Sequence, residues 1–293
     1  ARTSSIRHGF ERSLGQTCFL ENPSLMSLQA LAIYLQVVRA YNAGRSIWIL
    51  NGLVIRAAQS IGIHRNGDAL GLSPFESEMR RRLWCTIVCN DSRSAEDHGI
   101  SLNGLGTSVD MAFPSNRSDH EIWPNIAELP RERYQWTEMT NAVVIMKMSY
   151  HLKRLYQILA ASGALSNLLN ESIRRDVVDK ATADVLQYLQ HCNSVIPAQR
   201  ATLFSCRAFL RKLNFISRQY RESHATDENL IDACEILGLN VQFRSDDLLK
   251  QFRWVCEAYP PYHMLLYVLW HLCLKSSGPS VELAWNAVNL AFK

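Results

Sequence analysis

The sequence lacks the motifs that usually reveal an enzyme. It has no glycine-rich phosphate loop, no nucleophile-elbow pentapeptide and no His-Glu-x-x-His zinc motif. None of its eight cysteines forms a Cys-x-x-Cys pair, and Cys85 and Cys89, one helical turn apart, are too few for a zinc site. We therefore predict neither a metal nor a cofactor. A reaction that needs mainly a shaped cavity would leave no such motif.

Segments for export or membrane insertion are also missing. Residues 1–16 contain no apolar core, so a signal peptide is not expected. The longest apolar run, Met264–Leu274, is too short to span a bilayer and contains His271. The cysteines are scattered among apolar neighbours, which favours buried free thiols in a reducing compartment, either the nucleus or the cytoplasm.

Charge of one sign does not dominate the chain. A formal net charge of +4 over 293 residues does not by itself indicate nucleic-acid binding. One predicted helix carries Arg207, Arg211, Lys212 and Arg218, which we expect to form a basic surface. Apolar residues make up 47% of the sequence and no run is of low complexity, so the chain is predicted to be globular.

The spacing of the apolar residues is that of helices, and no stretch alternates with period two. The predicted fold class is therefore all-α, a multi-helix bundle of roughly ten helices. Residues 1–24 have no clear period and are expected to form a loose lead-in, whereas residues 25–293 are expected to form a single all-helical domain. Tyr262–Leu274 is apolar on nearly all faces, which predicts a buried helix near the C-terminus.

The best-defined helix is predicted between Ser73 and Gly99. Ser73 can cap its N-terminus, Pro74 suits the first helical position, and Glu76 can close a capping box. Gly99 can end the helix in the left-handed conformation. An apolar stripe with a spacing of four residues is formed by Phe75, Met79, Leu83 and Ile87. Two preceding helices, at residues 27–43 and 46–61, are expected to complete a local three-helix unit.

The last turns of this central helix are polar. They carry Asn90, Asp91, Arg93, Glu96, Asp97 and His98. Arg93 and Asp97 are spaced for an i,i+4 ion pair. We interpret the group as an ion-pair network that ties the helix end to a loop around Asp110. Earlier in the helix, the arginines at 80–82 are expected to be solvated or paired with carboxylates, as in a Glu78–Arg82 pair.

Three segments carry a family resemblance: Ala58–Arg65, Leu72–Trp84 and Asp91–Gly99. Together they resemble the signature of the fungal-specific transcription factor domain, the middle homology region of zinc-cluster regulators. Cys85 stands where a second Trp is common, and Asn90 where Leu is usual. A later family segment is matched by Asp110, Pro114, Asn116 and Asp119. The resemblance covers nearly the whole chain and is sharpest in residues 46–119.

This resemblance implies a regulatory, effector-responsive domain of a fungal transcription regulator. The zinc-cluster module that reads DNA needs six closely spaced cysteines, which this sequence does not contain. The implied partners are a small apolar metabolite, a protein of the transcription machinery or a second copy in a homodimer. Sequence-specific DNA binding by this chain alone and membrane association are not expected.

An alternative function is an enzyme of secondary metabolism on the same scaffold. Such a protein would be a cofactor-independent cyclase or isomerase that orients an apolar metabolite in a helical pocket. The candidate pocket residues are Trp84, Arg93, Tyr262, His263 and Trp270. The candidate acids and bases are Asp91, Glu96 and His263.

Overall fold

The computed structural model describes residues 2–42, 44–100, 111–161, 167–219, 226–275 and 277–292. Within these ranges the ordered elements are helices and none is a strand, which confirms the predicted all-α class. The α-helices are α1 (Arg2–Gln16), α2 (Leu25–Arg39), α3 (Arg45–Ser60), α4 (Pro74–Asp97), α5 (Thr140–Ala161), α6 (Asn167–Leu189), α7 (Pro197–Gln219), α8 (Asp227–Ser245), α9 (Trp254–Ala258), α10 (Tyr262–Leu274) and α11 (Val281–Ala291). Short 3-10 helices lie at Asp68–Leu70, Asp119–Glu121 and Asp247–Phe252.

Contacts group the helices into two compact units. Unit 1 contains α1–α4 and unit 2 contains α5–α11. The irregular segment that joins α4 to α5 contributes to both, because Ile122–Leu129 belongs to unit 1 and Ser115–Glu121 to unit 2. The single-domain organisation expected for residues 25–293 stays a prediction.

The central helix α4 begins as the sequence predicts. The Ser73 side chain accepts a hydrogen bond from the Glu76 amide at 3.2 Å, and the Glu76 carboxylate accepts one from the Ser73 amide at 3.2 Å. Pro74 occupies the first turn, where its missing N–H leaves no hydrogen bond unmade. Gly99, with φ of 65°, follows the last turn in the left-handed region.

Unit 1 is built on the packing of α2, α3 and α4, which confirms the local three-helix unit. Its buried core includes Leu28, Leu31, Leu35, Ile47, Val54, Ile55, Ala58, Leu83, Trp84 and Ile87. The predicted stripe of α4 is correct for Leu83 and Ile87, whereas Phe75 and Met79 are only half-buried. In the first turns the buried positions are Ser77, which lies against Gly67 of the preceding loop, and Glu78.

The first helix, α1, falls where the sequence has no clear period. Its contact with the core depends mainly on two residues four positions apart, Phe10 and Leu14. Phe10 stacks on Tyr34 of α2 with ring centroids 4.3 Å apart, and the Tyr34 hydroxyl donates to Glu11 at 2.5 Å. An apolar stripe this short is below what periodicity can detect, which explains why residues 1–24 gave no helix prediction.

The buried side chains in the described part of unit 2 include two clusters. The first fills the space between α5, α6 and α7 and includes Val143, Val144, Met148, Val185, Tyr188 and Cys206. The second lies where α7, α8 and α9 meet and includes Phe243, Leu249 and Cys256. Helix α8 also packs against α10 and α11, so it is the element that joins the C-terminal helices to the rest of unit 2.

Helix α10 is buried on one side only, which corrects the prediction of burial on nearly all faces. Its inner face consists of Met264, Tyr267, Val268, His271 and Leu272. The opposite face exposes Tyr262, Leu266, Trp270 and Leu274, which are spaced four residues apart. Helices α8 and α11 cover only part of the apolar surface of α10. The amino-acid composition of α10 does not show which helices pack against it.

The cysteines are all free, as expected for a reducing compartment. Cys206, Cys234 and Cys256 are buried, whereas Cys18 and Cys273 are exposed, so the prediction of buried thiols is wrong for these two. Burial raises the pKa of the Cys85 thiol well above its usual value, and the neighbouring Cys89 adds to the shift. Cys85 therefore stays protonated at neutral pH and is a poor nucleophile.

Gly67, in the loop before α4, lies very close to Ser77 of α4. A Cβ atom added at Gly67 would lie 2.5 Å from Ser77 Oγ and 2.9 Å from Ser77 Cα. We expect Gly67→Ala to lower the free energy of unfolding by about 1–3 kcal/mol, because the loop would have to move off α4. Denaturant titration followed by circular dichroism measures the change.

Gly52 in α3 provides the matched control, because an added Cβ there meets no atom within 4 Å. Gly52→Ala is expected to leave stability unchanged or to raise it by up to about 1 kcal/mol, through helix propensity. Equal stabilities of the two variants would contradict the close packing at Gly67.

Candidate functional site

The polar end of α4 lies within unit 1. Asn90 and Ser94 are buried and continue the inward face of the helix beyond Ile87. Asp91, Arg93 and Glu96 lie beside this face and are partly buried. The structure thus places these polar residues side by side at the end of α4, as the sequence predicts. Their role depends on which side chains they bind.

Arg93 is paired along its own helix. Its Nη1 lies 2.6 Å from Glu96 Oε2, and its Nη2 lies 3.4 Å from Asp97 Oδ1. The second contact confirms the predicted i,i+4 pair. Asp110, to which the helix end was expected to be tied, lies outside the described residues.

The partner that the sequence did not reveal is Arg39, in the last turn of α2. Its guanidinium donates to the Asp97 carboxylate through Nη2 and to Ser94 Oγ through Nη1, the latter at 2.9 Å. The side chains of Arg39 and Asp97 are only 3% and 6% exposed. A buried ion pair therefore joins the end of α2 to the end of α4.

Helix α3 joins the same network through Asn51. Its Nδ2 donates to Ser94 Oγ at 2.9 Å and approaches the Asn90 carbonyl oxygen at 3.4 Å. Ser94 Oγ thus accepts hydrogen bonds from two helices, which uses both of its lone pairs. One sequence signal could have indicated Asn51, since it is a polar residue within the apolar seam of α3 between Ile47 and Val54.

The contacts of Asp97 and Asn51 are those of a scaffold. Asp97 is shared between the guanidinium groups of Arg39 and Arg93, and each donor of Asn51 is directed at α4. Charges held in this way stabilise one arrangement of the three helices, because breaking a pair leaves a buried charge uncompensated. The catalytic roles considered for Asp91, Glu96 and His263 stay predictions.

The candidate pocket residues are divided between the two units. Trp84 is buried in the core of unit 1, with its ring centroid 5.8 Å from that of His64. In unit 2, the His263 ring meets the edge of Phe215 at 5.7 Å. Tyr262 and Trp270 are 50% and 42% exposed and lie on the outer face of α10, whereas Arg93 belongs to unit 1. The ligand pocket proposed for these residues stays a prediction.

Several arginines of α4 and α7 are paired with carboxylates. Glu78 is fully buried and lies 3.1 Å from Arg82 and 3.2 Å from Arg81, which confirms the predicted Glu78–Arg82 pair. Two of the four residues expected to form a basic surface on α7, Arg211 and Arg218, bind Asp232 of α8. The pairs with Asp232 join α7 to α8, whereas those with Glu78 lie within α4.

A buried asparagine organises the segment before α5. The Asn116 side chain donates to the carbonyl oxygens of Arg133 at 2.7 Å and Gln135 at 2.9 Å. Its Oδ1 accepts from the hydroxyls of Thr137 at 2.7 Å and Thr140 at 3.0 Å. All four hydrogen-bonding positions of one amide are therefore used, which fixes the segment around Asn116 against the start of α5.

The residues that the structure describes include neither a metal site nor a membrane-spanning helix. No group of three or more histidine, cysteine, aspartate or glutamate side chains there is placed to hold a metal ion. No helix in the same residues is both long and apolar enough to cross a bilayer.

Comparison with known families identifies the class of protein. Residues 6–236 match the model of the fungal specific transcription factor domain, and the chain belongs to this family. This finding confirms the resemblance carried by the α3–α4 segments. No solved structure matches the chain at a significant level.

Particular relatives are transcription factors of fungi. The chain is 29% identical to the pyriculol/pyriculariol biosynthesis cluster transcription factor 1 of Pyricularia oryzae, over 96% of this chain and 40% of that protein. It is 24% identical to the aurofusarin cluster transcription factor aurR2 of Gibberella zeae, over 97% of this chain and 44% of that protein. It is also 24% identical to the transcriptional regulator AacuB of Aspergillus aculeatus, over 95% of this chain and 40% of that protein. The chain thus spans less than half the length of these relatives, whose names support a role in regulation.

The scaffold interpretation predicts a steep loss of stability when Arg39 is replaced. Arg39→Met keeps the length of the side chain but leaves the buried Asp97 with Arg93 alone. We expect the free energy of unfolding to fall by about 3 kcal/mol, the lower end of the range for a broken buried pair, because Arg93 remains. Denaturant titration measures the change.

Arg7→Met is the matched control, because the Arg7–Glu11 pair of α1 is exposed. Exposed pairs contribute little, so this variant should unfold like the parent. Equal stabilities of the Arg39 and Arg7 variants would contradict a scaffold role for the polar end of α4.

Proposed function

We propose that this chain is the regulatory domain of a transcription factor that controls a fungal secondary-metabolite gene cluster. The observation that carries the proposal is family membership over residues 6–236, together with relatives named as cluster transcription factors. In this proposal the domain responds to an effector, either a small apolar metabolite or a protein of the transcription machinery, and it acts in the nucleus.

The packing of unit 1 supports a switching role. Its three helices are joined by a few directional contacts of Arg39, Asn51 and Ser94. Directional hydrogen bonds and buried ion pairs favour discrete arrangements over gradual deformation. A ligand that binds one arrangement more tightly than another shifts the population between them. The polar network would thereby set the resting state from which the domain responds.

The charge pattern supports a division of labour with a separate DNA-reading module. The arginines of α4 and α7 described above are bound to carboxylates, which reduces their availability for phosphate groups. We therefore expect this chain to regulate transcription without recognising a DNA sequence itself. A homodimer remains part of the proposal for the full-length regulator.

A reporter assay tests the proposed function. The chain is placed between an unrelated bacterial DNA-binding module and a constitutive activation segment, and expressed in yeast with a matching reporter gene. We expect reporter output to change several-fold when extract of the producing fungus is added, because the effector alters the arrangement of the helices. A fusion without the chain should give constant output.

Two variants make the assay specific. Arg7→Met should respond like the parent, whereas Arg39→Met should lose the response because its three-helix unit is destabilised. A parental fusion with the same output as the chain-free fusion, with and without extract, would contradict the regulatory proposal. Consumption of a compound from the extract by the purified chain would instead support the enzyme alternative.

A further inference from the structure

The outer face of α10 is apolar and exposed to solvent. It lies opposite the inner face of the helix, and α10 contacts α8 and α11. Residues four positions apart follow one another along one side of a helix, so the exposed side chains form a continuous row. This row, called the α10 face below, consists of four large side chains that are 42–65% exposed: Tyr262, Leu266, Trp270 and Leu274.

The α10 face carries no formal charge. The helix Tyr262–Leu274 contains no aspartate, glutamate, lysine or arginine. The charged residue nearest to it in the sequence, Lys275, has its Nζ 3.7 Å from Asp227 Oδ1. A nucleic acid or a charged peptide would therefore find no counter-charge on this face. An occupant of the α10 face must itself be apolar.

Helix α2 also has an exposed apolar row, but that row is narrower. Ile33 on it is 64% exposed, and the half-buried Gln29 and Gln36 border the row on one side. On α10 the bordering residues are Leu265 and Leu269, which are half-buried as well. The cores of protein interfaces are rich in aromatic residues and poor in charged ones. The α10 face has this character across its whole width, with a tyrosine and a tryptophan among its four exposed residues.

Trp270 is already held in place on the α10 face. Its ring centroid lies 5.5 Å from that of Tyr267, and the Tyr267 ring meets Phe215 edge-on at 4.8 Å. A side chain that is fixed before binding loses little conformational entropy on binding. Tryptophan is also among the residues that contribute most to interface affinity. Trp270 therefore has the properties of an interface anchor.

The order of residues on the α10 face is complementary to itself. Two copies of α10 can pair antiparallel about a two-fold axis at the level of Val268. Tyr262 then lies opposite Leu274 of the second copy, and Leu266 lies opposite its Trp270. Each contact joins one aromatic ring to one leucine side chain. A parallel pairing would instead oppose ring to ring and leucine to leucine, which alternates crowded and empty levels along the interface.

The area of the α10 face matches that of a reversible dimer. A large side chain presents roughly 200 Å² when fully exposed, so the four half-exposed ones leave roughly 400 Å² per copy. Two copies would bury roughly 800 Å² through these four residues alone, and Leu265 and Leu269 would add to it. Stable complexes bury roughly 1,200–2,000 Å², and weak ones less. The area thus predicts association that depends on concentration.

We propose that the α10 face is a homodimer interface in which α10 packs antiparallel against α10 of a second copy. The inference rests on the proposed function for its biological role, because it supplies a surface for the homodimer included there. Dimerisation is measured on the purified chain without transcription, whereas regulation is measured by the reporter assay. Failure of one is therefore distinguishable from failure of the other.

Sedimentation equilibrium of the purified chain at about 1–200 µM tests the interface. The parent should dimerise with a Kd of about 1–100 µM. Leu266→Glu should raise this Kd at least about tenfold, because it places a carboxylate against an apolar surface in the dimer. The residue is 65% exposed, so the melting temperature measured by circular dichroism should not change.

Ile33→Glu is the matched control, because Ile33 of α2 is 64% exposed. It should dimerise like the parent. A parent that stays monomeric up to about 200 µM would overturn the proposal, as would equal Kd values for the parent and Leu266→Glu. Loss of dimer in Ile33→Glu alone would overturn it in favour of α2. Loss in both variants would overturn it in favour of a contact between α10 and α2 of different copies.

Disulfide cross-linking tests the antiparallel direction. A chain with Tyr262→Cys and Leu274→Cys is prepared with the exposed Cys18 and Cys273 changed to serine. The two new thiols are twelve residues apart, or about 18 Å along the helix, which is too far for a disulfide within one chain.

Mild oxidation at a concentration where the parent dimerises should therefore give a covalent dimer of this variant. Tyr262→Cys alone, in the same serine background, should remain uncrosslinked. A covalent dimer of the single variant would indicate parallel helices and overturn the proposal. The absence of a covalent dimer from the double variant would overturn it as well.

Discussion

The buried ion pair between Arg39 and Asp97 is the constraint on which unit 1 depends. Two charges with side chains 3% and 6% exposed cannot be left unpaired without a large loss of stability. Their pairing fixes the end of α2 against the end of α4, and Asn51 fixes α3 to the same turn through Ser94. The apolar core tolerates several ways of packing, whereas these directional contacts allow only one register of the three helices.

The same constraint explains why the polar end of α4 resembles a catalytic cluster in the sequence. Carboxylates, an arginine and a histidine within eight residues are also what an acid–base site would contain. Arg93 binds Glu96 and Asp97, and Arg39 of α2 binds Asp97 as well, so these contacts form a joint between helices. Membership of the fungal specific transcription factor domain family agrees with a domain whose function depends on how its helices are arranged. In the regulatory proposal, this joint holds the resting state.

Local signals in the sequence were sufficient for much of the fold. The capping box of Ser73 and Glu76, the left-handed Gly99 and the Arg93–Asp97 pair all involve residues close in the chain, and all were predicted. Arg39 could not be predicted as a partner, because it lies 58 residues before Asp97 and its helix position looks like an ordinary exposed end. The exposed face of α10 could not be predicted either, because its exposure depends on which distant helices pack against α10.

A double-mutant cycle on Arg39 and Asp97 tests the central claim most directly. The free energies of unfolding are measured for the parent, Arg39→Met, Asp97→Asn and the variant with both changes. A direct buried pair predicts that the double variant is more stable than the sum of the single effects requires, by a coupling of about 1–3 kcal/mol. Single effects that add to within about 0.5 kcal/mol would mean that the two side chains do not interact, and the scaffold account of the polar end of α4 would be contradicted.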